Sequence, residues 1–415
     1  MTDRICRGDT LCSPHREVYR QNGKPVVFIE PYTHLLLDDK LFDNSESLLN
    51  RDGVLDVWTS LKIELRKEGI EAHTTDFIPA EERDDVVFIV NTVNSDSKLH
   101  ERLGSRNDIC FGSYYLPEPP VDASFNARSP YRRLDALSGI YRRVYASPLS
   151  DAIGELKNVP TEFSARQFFY PNSPSGPLDE YWGNRDRKFL VMINSPNYSP
   201  MRQYELYSER IRALDYFGER SLIDLYGHRW REACLQSPLL GLLRIARRPS
   251  VRSFGRWLSG LQTRRAAKHI LNAYKGTCGS KYDTLSQYHF ALAYENFRIR
   301  GYITEKMLDC LFVGTIPVYW GEPEIEKWVP KECYIDRREF TTYADLHAYL
   351  QSLTEDDRMR YREAGKAFVE SESFYPFSKE AFAESFIADV KEDLEAIDCA
   401  AGQEASVAGA ARLIA

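Results

Sequence analysis

The densest group of chemically useful side chains lies between residues 290 and 321. It contains three short motifs: Phe290-Ala-Leu-Ala-Tyr-Glu-Asn296, Gly301-Tyr-Ile-Thr-Glu-Lys306 and Gly314-Thr-Ile-Pro-Val-Tyr-Trp-Gly321. Their composition predicts strand, turn, helix and strand in that order. Gly301 frees the turn, and the start of the following helix would offer backbone N–H groups and the positive end of its dipole. Such a helix start binds phosphate.

Three polar or aromatic side chains accompany this predicted helix. Tyr302, Glu305 and Lys306 stand at positions i, i+3 and i+4, so we expect them on one helical face. A cation for phosphate, a carboxylate for paired ribose hydroxyls and an aromatic ring form a set that a nucleotide-sugar requires. The spacing fits equally well a solvated Glu305–Lys306 pair with Tyr302 as a packing residue.

The three motifs, in this order, resemble the C-terminal signature of glycosyltransferase family 10, the α1,3/α1,4-fucosyltransferases, in its bacterial type without a membrane anchor. The similarity runs from about Phe189 to Phe377 and is strongest between Gly276 and Phe340. It implies an α/β fold of GT-B architecture, with two Rossmann-like domains facing across a cleft. It also implies a GDP-fucose donor and inversion at the sugar without a metal or other cofactor, and the chain contains no Asp-x-Asp motif. The donor-binding residues implied within the motifs are Glu295, Asn296, Tyr302, Glu305 and Lys306.

Two basic residues outside the motifs also match family positions. Arg202 ends the segment Asn194-Ser-Pro-Asn-Tyr-Ser-Pro-Met-Arg202, where a predicted strand leads to a helix over about 202–217. The resemblance implies that Arg202 binds the donor diphosphate, because its planar guanidinium group can donate two hydrogen bonds to phosphate oxygens at once. An ordinary exposed arginine is the alternative. Lys281 resembles a further family position near the donor.

The catalytic base has two candidates. Inverting transfer needs a carboxylate that accepts the proton of the acceptor hydroxyl. Glu118 follows the predicted strand 109–115 in Leu116-Pro-Glu-Pro-Pro120, where prolines end ladder pairing. This loop resembles the Glu-Pro-Pro loop of bacterial family members, so we favour Glu118. Glu30 also ends an apolar strand and is the competitor, and a helix-capping role for either glutamate is the third interpretation.

The elements that must position these residues repeat a β-α-β rhythm in both halves of the chain, which predicts parallel sheets covered by helices. The turn-rich segment Tyr170–Pro177 marks the expected boundary. The predicted parts are a polar tail 1–24, an acceptor-binding domain 25–175, a donor domain 176–377 with a basic insertion 239–282, a C-terminal helix 378–398 and a flexible tail 399–415.

Composition limits the class of protein. With 415 residues, 43% hydrophobic and 28% charged, the chain is long enough for two globular domains. A formal charge of −7 argues against nucleic acid as the main partner. No apolar run approaches the ~20 residues of a transmembrane helix, which predicts a cytoplasmic protein. The cysteines lack CxxC spacing, so we expect reduced thiols and no zinc site.

The insertion 239–282 departs from the family pattern. No acidic residue lies between Glu232 and Asp283, while arginines and lysines alternate with Phe254, Trp257 and Leu258. An amphipathic helix of this makeup binds anionic lipid, which predicts a peripheral location on the inner membrane face. The alternative is a basic helix packed on its own domain through its aromatic stripe.

Together these features predict an inverting fucosyltransferase that moves L-fucose from GDP-fucose to a hydroxyl of a glycan, such as an envelope or O-antigen saccharide, which a lipid can carry. Another GDP-deoxysugar donor is the nearest alternative. A non-catalytic saccharide-binding or membrane scaffold of the same shape is a third. Such a scaffold would be expected to lack donor residues, whereas Arg202, Glu305 and Lys306 are present.

Overall fold

The computed structural model describes residues 16–45, 48–92, 99, 103, 105–120, 130–132, 137, 139–155, 166–184, 186–235 and 251–414. The chain forms two compact units. The first comprises Met1–Glu118, Arg128–Ser173 and Phe377–Ala415, and the second comprises Pro119–Ala127 and Pro174–Pro376. The long boundary falls after residue 173, two residues before the predicted position. Most of the predicted polar tail, residues 1–15, lies outside the described residues.

The first unit contains a sheet with the order β1-β2-β4-β5-β6-β7, in which β3 also pairs with β2. Its strands are β1 (Arg20–Gln21), β2 (Lys24–Glu30), β3 (Glu71–Thr74), β4 (Val87–Asn91), β5 (Ile109–Leu116), β6 (Arg143–Ala146) and β7 (Arg166–Gln167). Every pairing is parallel except that of β1 with β2. The carboxyl ends of β2, β3, β4 and β5 therefore lie along one edge.

Helices cover one face of this sheet. In α1 (Asp56–Lys67), the residues Val57, Trp58, Leu61 and Leu65 are buried, as the helical apolar spacing predicts. A short helix, α2, spans Ser150–Gly154. The terminal helix (Lys379–Ile414) adds to the same core a stripe at intervals of four residues: Phe382, Phe386, Val390 and Leu394.

The terminal helix corrects two predictions. It continues to Ile414, beyond the predicted end at 398 and through the predicted flexible tail 399–415. The added segment is rich in alanine, the residue with the highest helix propensity. The earlier part of the terminal helix is anchored to the first sheet by its carboxylates. Arg143 on β6 donates to Asp393 at 2.7 Å and Tyr145 donates to Asp389 at 2.6 Å.

The second unit contains a parallel sheet of order β10-β9-β8-β11-β12-β13. Its strands are β8 (Lys188–Ile193), β9 (Ile223–Tyr226), β10 (Tyr274–Gly276), β11 (Tyr288–Tyr294), β12 (Ile316–Trp320) and β13 (Ile335–Asp336). The chain moves outward from β8 to β10, then returns to the other side of β8 and continues to β13. This is the strand order of dinucleotide-binding Rossmann domains, and its topological switch point lies between β8 and β11.

The helices of the second unit are α3 (Tyr207–Glu219), α4 (Trp230–Leu235), α5 (Val251–Arg265), α6 (Ala267–Ala273), α7 (Lys281–Leu285), α8 (Glu305–Phe312), α9 (Tyr343–Ser352) and α10 (Glu355–Val369). Two of them begin later than predicted. The helix expected from Arg202 begins at Tyr207, because the preceding residues pair with another loop: Glu205 forms an isolated bridge with Phe297. The helix expected from Tyr302 begins at Glu305, because Thr304 is extended (φ −119°, ψ −176°).

Two parallel, helix-covered sheets are the components of the GT-B architecture, and the predicted α/β fold class is confirmed. Among the described helices none is long and apolar enough to span a bilayer. The described cysteines are free thiols, and all except Cys399 are buried.

The basic insertion is described only in part. Residues 236–250, which include Arg244, Arg247 and Arg248, lie outside the described residues. In the described part, Thr263, Ala266 and Ile270 are buried while Arg264, Arg265 and Lys268 are exposed. The Gln262 side chain also donates to the Ser208 carbonyl at 3.1 Å. This region therefore packs on its own unit and turns its charges to solvent, and membrane binding stays a prediction.

Candidate functional site

The switch point of the second sheet brings two predicted segments together. β8 leads into the loop that ends at Arg202, and the adjacent strand β11 leads into Glu295 and Asn296. The Leu206 N–H donates to the Asn296 carbonyl at 3.2 Å, which ties the loop after β8 to the end of β11. In open α/β sheets this crevice at the carboxyl edge is where ligands bind.

The turn between β11 and α8 is held by buried carboxylates. Glu295, with 0% exposure, accepts hydrogen bonds from the Thr304 N–H at 2.8 Å and the Thr304 hydroxyl at 2.7 Å. Glu322, with 1% exposure, accepts from the Gly301 N–H and, at 2.7 Å, from the Glu324 N–H. Gly301 has a φ of 83°, which favours glycine at this turn.

Close approach explains the glycine that ends the third motif. A Cβ atom at Gly321 would lie 2.3 Å from Cγ of Glu295 and 2.5 Å from the Tyr319 hydroxyl. Only glycine therefore lets the ends of β11 and β12 approach with the Glu295 carboxylate between them. Burial raises the pKa of Glu295, while the Lys306 charge opposes that rise.

Lys306 lies at the centre of the cluster. Its Nζ atom is 3.0 Å from the Thr304 hydroxyl, 3.5 Å from a Glu295 carboxylate oxygen and 3.4 Å from a Glu305 carboxylate oxygen. The Lys306 side chain keeps 20% exposure. The Thr304 hydroxyl donates to Glu295 and makes no side-chain cap hydrogen bond to α8. The arrangement holds an ammonium group at the N-terminus of α8, where dipole and charge both favour an anion.

Glu305 and Lys281 complete this cluster. Burial pushes the pKa of Glu305 upward, but the charges of Lys306 and Lys281 outweigh it and lower that pKa to about 2. Glu305 is 41% exposed and ionised at neutral pH, so it can accept hydrogen bonds from ligand hydroxyls. Lys281 forms an ion pair with Asp309 of α8 at 2.7 Å. Burial raises the pKa of Asp309 to about 6 although Lys281 lowers it.

The predicted residues differ in where they lie. Arg202 is exposed on the turn after β8 and forms no ion pair with any described residue. Asn296 is half-buried and accepts from Arg210 at 2.9 Å. Tyr302 is only 1% exposed and precedes α8, so the expected common face with Glu305 and Lys306 is wrong. The Tyr302 ring is a packing residue in this structure.

Three residues of the site were missed. Arg210, buried on α3, donates to the Tyr294 carbonyl at 2.6 Å and to Asn296, and thus supports the end of β11. Thr304 and Glu322 hold the turn described above. Thr304 and Glu322 lie within or next to the motifs, but their partners are distant in sequence, so spacing could not reveal their contacts.

Both candidate bases lie at the carboxyl edge of the first sheet. Glu118 is exposed on the loop after β5, and its carbonyl accepts from the buried Tyr131 hydroxyl at 2.7 Å. Glu30 ends β2, is half-buried, and its carboxylate accepts a hydrogen bond from the Thr75 hydroxyl. Since β4 lies between β2 and β5, the two strands are about 10 Å apart. Across the described residues no three His, Cys, Asp or Glu side chains are grouped to hold a metal ion.

Comparison with known proteins adds a family match. Residues 263–366 match the model of glycosyltransferase family 10 (fucosyltransferase), C-terminal part. An alpha-(1,3)-fucosyltransferase of Helicobacter pylori is 36% identical over 74 residues, 18% of this chain and 16% of that protein. The human GDP-fucose protein O-fucosyltransferase 3 is 40% identical over 79 residues, 19% of this chain and 16% of that protein. Both matches thus span about a sixth of the relative's length.

Solved structures are similar over most of the chain. An alpha1,3-fucosyltransferase crystallised with GDP aligns over 94% of this chain and 96% of its own, with 14% identity and a TM-score of 0.46.

Proposed function

We propose that this member of glycosyltransferase family 10, whose residues 263–366 match the family model, transfers L-fucose from GDP-fucose to a hydroxyl group of a glycan. The observation that carries this proposal is that the loop with Arg202 follows β8 while Glu305 and Lys306 follow the adjacent strand β11, at the carboxyl edge around the switch point of the second sheet. A nucleotide diphosphate requires cations there, and a helix N-terminus adds to them.

We assign the donor roles from this geometry. Lys306 and Arg202 neutralise the diphosphate, because charge-assisted hydrogen bonds are the strongest a protein offers to phosphate oxygens. Glu305, ionised at neutral pH, accepts hydrogen bonds from the ribose hydroxyls. Lys281, paired with Asp309, lowers the pKa of Glu305 together with Lys306 and so helps keep Glu305 ionised. No metal ion enters this scheme, since the fixed cations stabilise the leaving diphosphate.

Transfer with inversion requires a base in the first unit. We assign this role to Glu118, whose exposed carboxylate follows the end of β5. It would accept the proton of the acceptor hydroxyl as that oxygen attacks the anomeric carbon, while the bond to the diphosphate breaks. Glu30 is the alternative, but its carboxylate already accepts a hydrogen bond from Thr75.

The acceptor is proposed more coarsely than the donor. The Helicobacter pylori protein is named for the α1,3 linkage that it forms, and the human protein is named for transfer to protein. The two names share fucose transfer and differ in the acceptor, so they support the proposed donor more than the proposed acceptor. We propose that the acceptor is an envelope or O-antigen saccharide and that transfer takes place in the cytoplasm or at the inner face of the membrane. Another GDP-deoxysugar as donor remains the alternative.

A thermal-shift experiment with matched variants tests the donor. GDP and GDP-fucose should raise the melting temperature and UDP should not, because a ligand that binds the folded state stabilises it by mass action. Arg202→Ala should lose most of this shift. Arg220→Ala should keep it, because Arg220 is also exposed but follows α3, where it pairs with Glu219. A shift with UDP and none with GDP would contradict the proposal, and a panel of GDP-sugars separates fucose from related donors.

A further inference from the structure

Two buried carboxylates hold the turn that precedes α8 from opposite ends. Glu322, at the end of β12, receives the N–H of Gly301, the first residue of the turn. Glu295, at the end of β11, receives the N–H and hydroxyl of Thr304, the last residue of the turn. The position of Lys306 and of the α8 N-terminus is therefore set by carboxylates that are themselves 0–1% exposed.

Their burial argues against direct donor contact through these side chains. The carboxylate oxygens of Glu295 are used by Thr304 and Lys306, and those of Glu322 by Gly301 and Glu324. An ionised carboxylate is a stronger hydrogen-bond acceptor than its protonated form, so the hydrogen bonds that hold the turn depend on the charge of these carboxylates. Burial raises the pKa of Glu322 to about 7, whereas a glutamate in water is ionised well below neutrality.

We propose that Glu322 is a positioning residue whose protonation loosens the turn Gly301–Thr304 and thereby weakens donor binding, with Glu295 as the second anchor of that turn. This inference rests on the proposed function, because it describes how the same donor site responds to pH.

Several groups act on the pKa of Glu322. Burial raises it and is the largest cause, while the hydrogen bonds from the Glu324 and Gly301 N–H groups lower it. The charge of Glu324 raises it further and that of Arg300 lowers it. The Tyr319 hydroxyl on β12 accepts the Glu322 N–H at 3.0 Å, and burial keeps Tyr319 neutral by raising its pKa. Glu295 also lies next to Gly321, because a Cβ atom there would be 2.3 Å from its Cγ. Burial raises the pKa of Glu322 to about 7, so its charge changes near neutral pH.

The sign of the effect separates positioning from general stability. A raised pKa means that the folded protein prefers protonated Glu322, so its contribution to stability is present at low pH and declines as pH rises through about 7. Donor affinity should change in the opposite direction, since the ionised form holds the turn. A residue that merely stabilised the fold would move both quantities together.

The experiment measures GDP-fucose binding to the purified full chain by calorimetry at pH 6 and pH 8. GDP-fucose is used because each of its phosphates carries one ester and one anhydride bond and so has no proton that titrates near neutrality, whereas a terminal phosphate such as that of GDP titrates near pH 6. Wild-type affinity should be about 5- to 10-fold weaker at pH 6 than at pH 8, the difference expected between a charged and a neutral acceptor. Glu322→Gln should bind at pH 8 as the wild type does at pH 6, and its affinity should be the same at both values.

Two control variants sharpen the result. Glu324→Gln removes an exposed charge two residues away and should keep the pH dependence, with a somewhat lower midpoint. Glu295→Gln should weaken binding at both pH values and also keep the pH dependence. Equal wild-type affinity at pH 6 and pH 8, or the same pH profile in Glu322→Gln, would overturn the inference while leaving the donor assignment intact. Absence of GDP-fucose binding to the wild type at both pH values would overturn the proposed function and this inference with it.

Discussion

The carboxyl edge of the second sheet and that of the first sheet present their charged groups in different ways. In the second, Lys306 is surrounded by Thr304, Glu295 and Glu305, and its surroundings are fixed by buried hydrogen bonds. In the first, Glu118 is exposed on a proline-flanked loop, and its main-chain carbonyl accepts a hydrogen bond from the Tyr131 hydroxyl.

The difference fits the two tasks that we propose. A diphosphate is a fixed, highly charged group, and a preorganised set of cations binds it without later rearrangement. A base that takes a proton from varied acceptors needs an accessible carboxylate more than a rigid one. The donor edge should therefore respond to mutation mainly in binding and stability, and the acceptor edge mainly in the rate of transfer.

The largest expected effect comes from Glu118→Gln. The variant keeps size and hydrogen bonding but cannot accept a proton, so transfer should fall by ~10²- to 10⁴-fold, the usual contribution of a general base. Donor affinity should change little. Steady-state transfer assays and calorimetry with GDP measure the two quantities.

Glu30→Gln is the matched control for this prediction, because Glu30 ends a strand at the same sheet edge. It should retain transfer. Near-normal transfer in Glu118→Gln with loss in Glu30→Gln would move the base to Glu30. Activity in both variants would show that the base lies elsewhere, while the donor assignment would stand.

A smaller effect is expected at the donor edge. Lys306→Ala and Arg202→Ala should each weaken GDP binding by ~1.5 to 3 kcal/mol, as for charge-assisted bonds to phosphate. Only Lys306→Ala should also lower the melting temperature, because it leaves buried Glu295 without its cation, whereas Arg202 is exposed. Calorimetry and thermal unfolding test this split. Equal melting temperatures of the two variants would contradict the preorganised picture of the donor edge.

The smallest expected effect is that of metal removal. EDTA should leave transfer largely intact, because fixed cations and the end of α8 take the role that a metal would have. Transfer assays with and without EDTA, then with added Mn²⁺, measure this. Activity that chelation abolishes and Mn²⁺ restores would show that the protein cations alone do not stabilise the leaving group.

Much of the fold could be predicted because its signals are local. The strand predicted over 109–115, for example, is observed as Ile109–Leu116. Helix starts were less predictable. α3 and α8 begin later than expected since hydrogen bonds from the Leu206 and Thr304 N–H groups to Asn296 and Glu295 hold the preceding residues extended or turned. The short strands β7 and β13, of two residues each, have too little sequence for any periodicity.

The site shows the same division. Glu305 and Lys306 were predicted from the motifs, and Arg202 and Lys281 from the family resemblance. Glu305, Lys306 and Lys281 form one cluster in the structure. Tyr302 was placed on the wrong surface because the spacing was assumed to be helical throughout. Arg210 and Glu322 were not predicted, because a buried ionisable group is recognisable only by the hydrogen-bond partners that replace its water in the folded protein.

The sequence by itself determined the α/β class and predicted the turn before α8 with Lys306, because these depend on residue types that lie close together in the chain. Only the tertiary structure decided which carboxylates are exposed and which are buried. Glu305 and Glu295 are both glutamates of the same motif region, yet the pKa of Glu305 falls to about 2 while that of Glu295 rises. At Glu305 the charges of Lys306 and Lys281 outweigh the effect of burial, whereas at Glu295 burial outweighs the charge of Lys306, and both effects are properties of the packed protein.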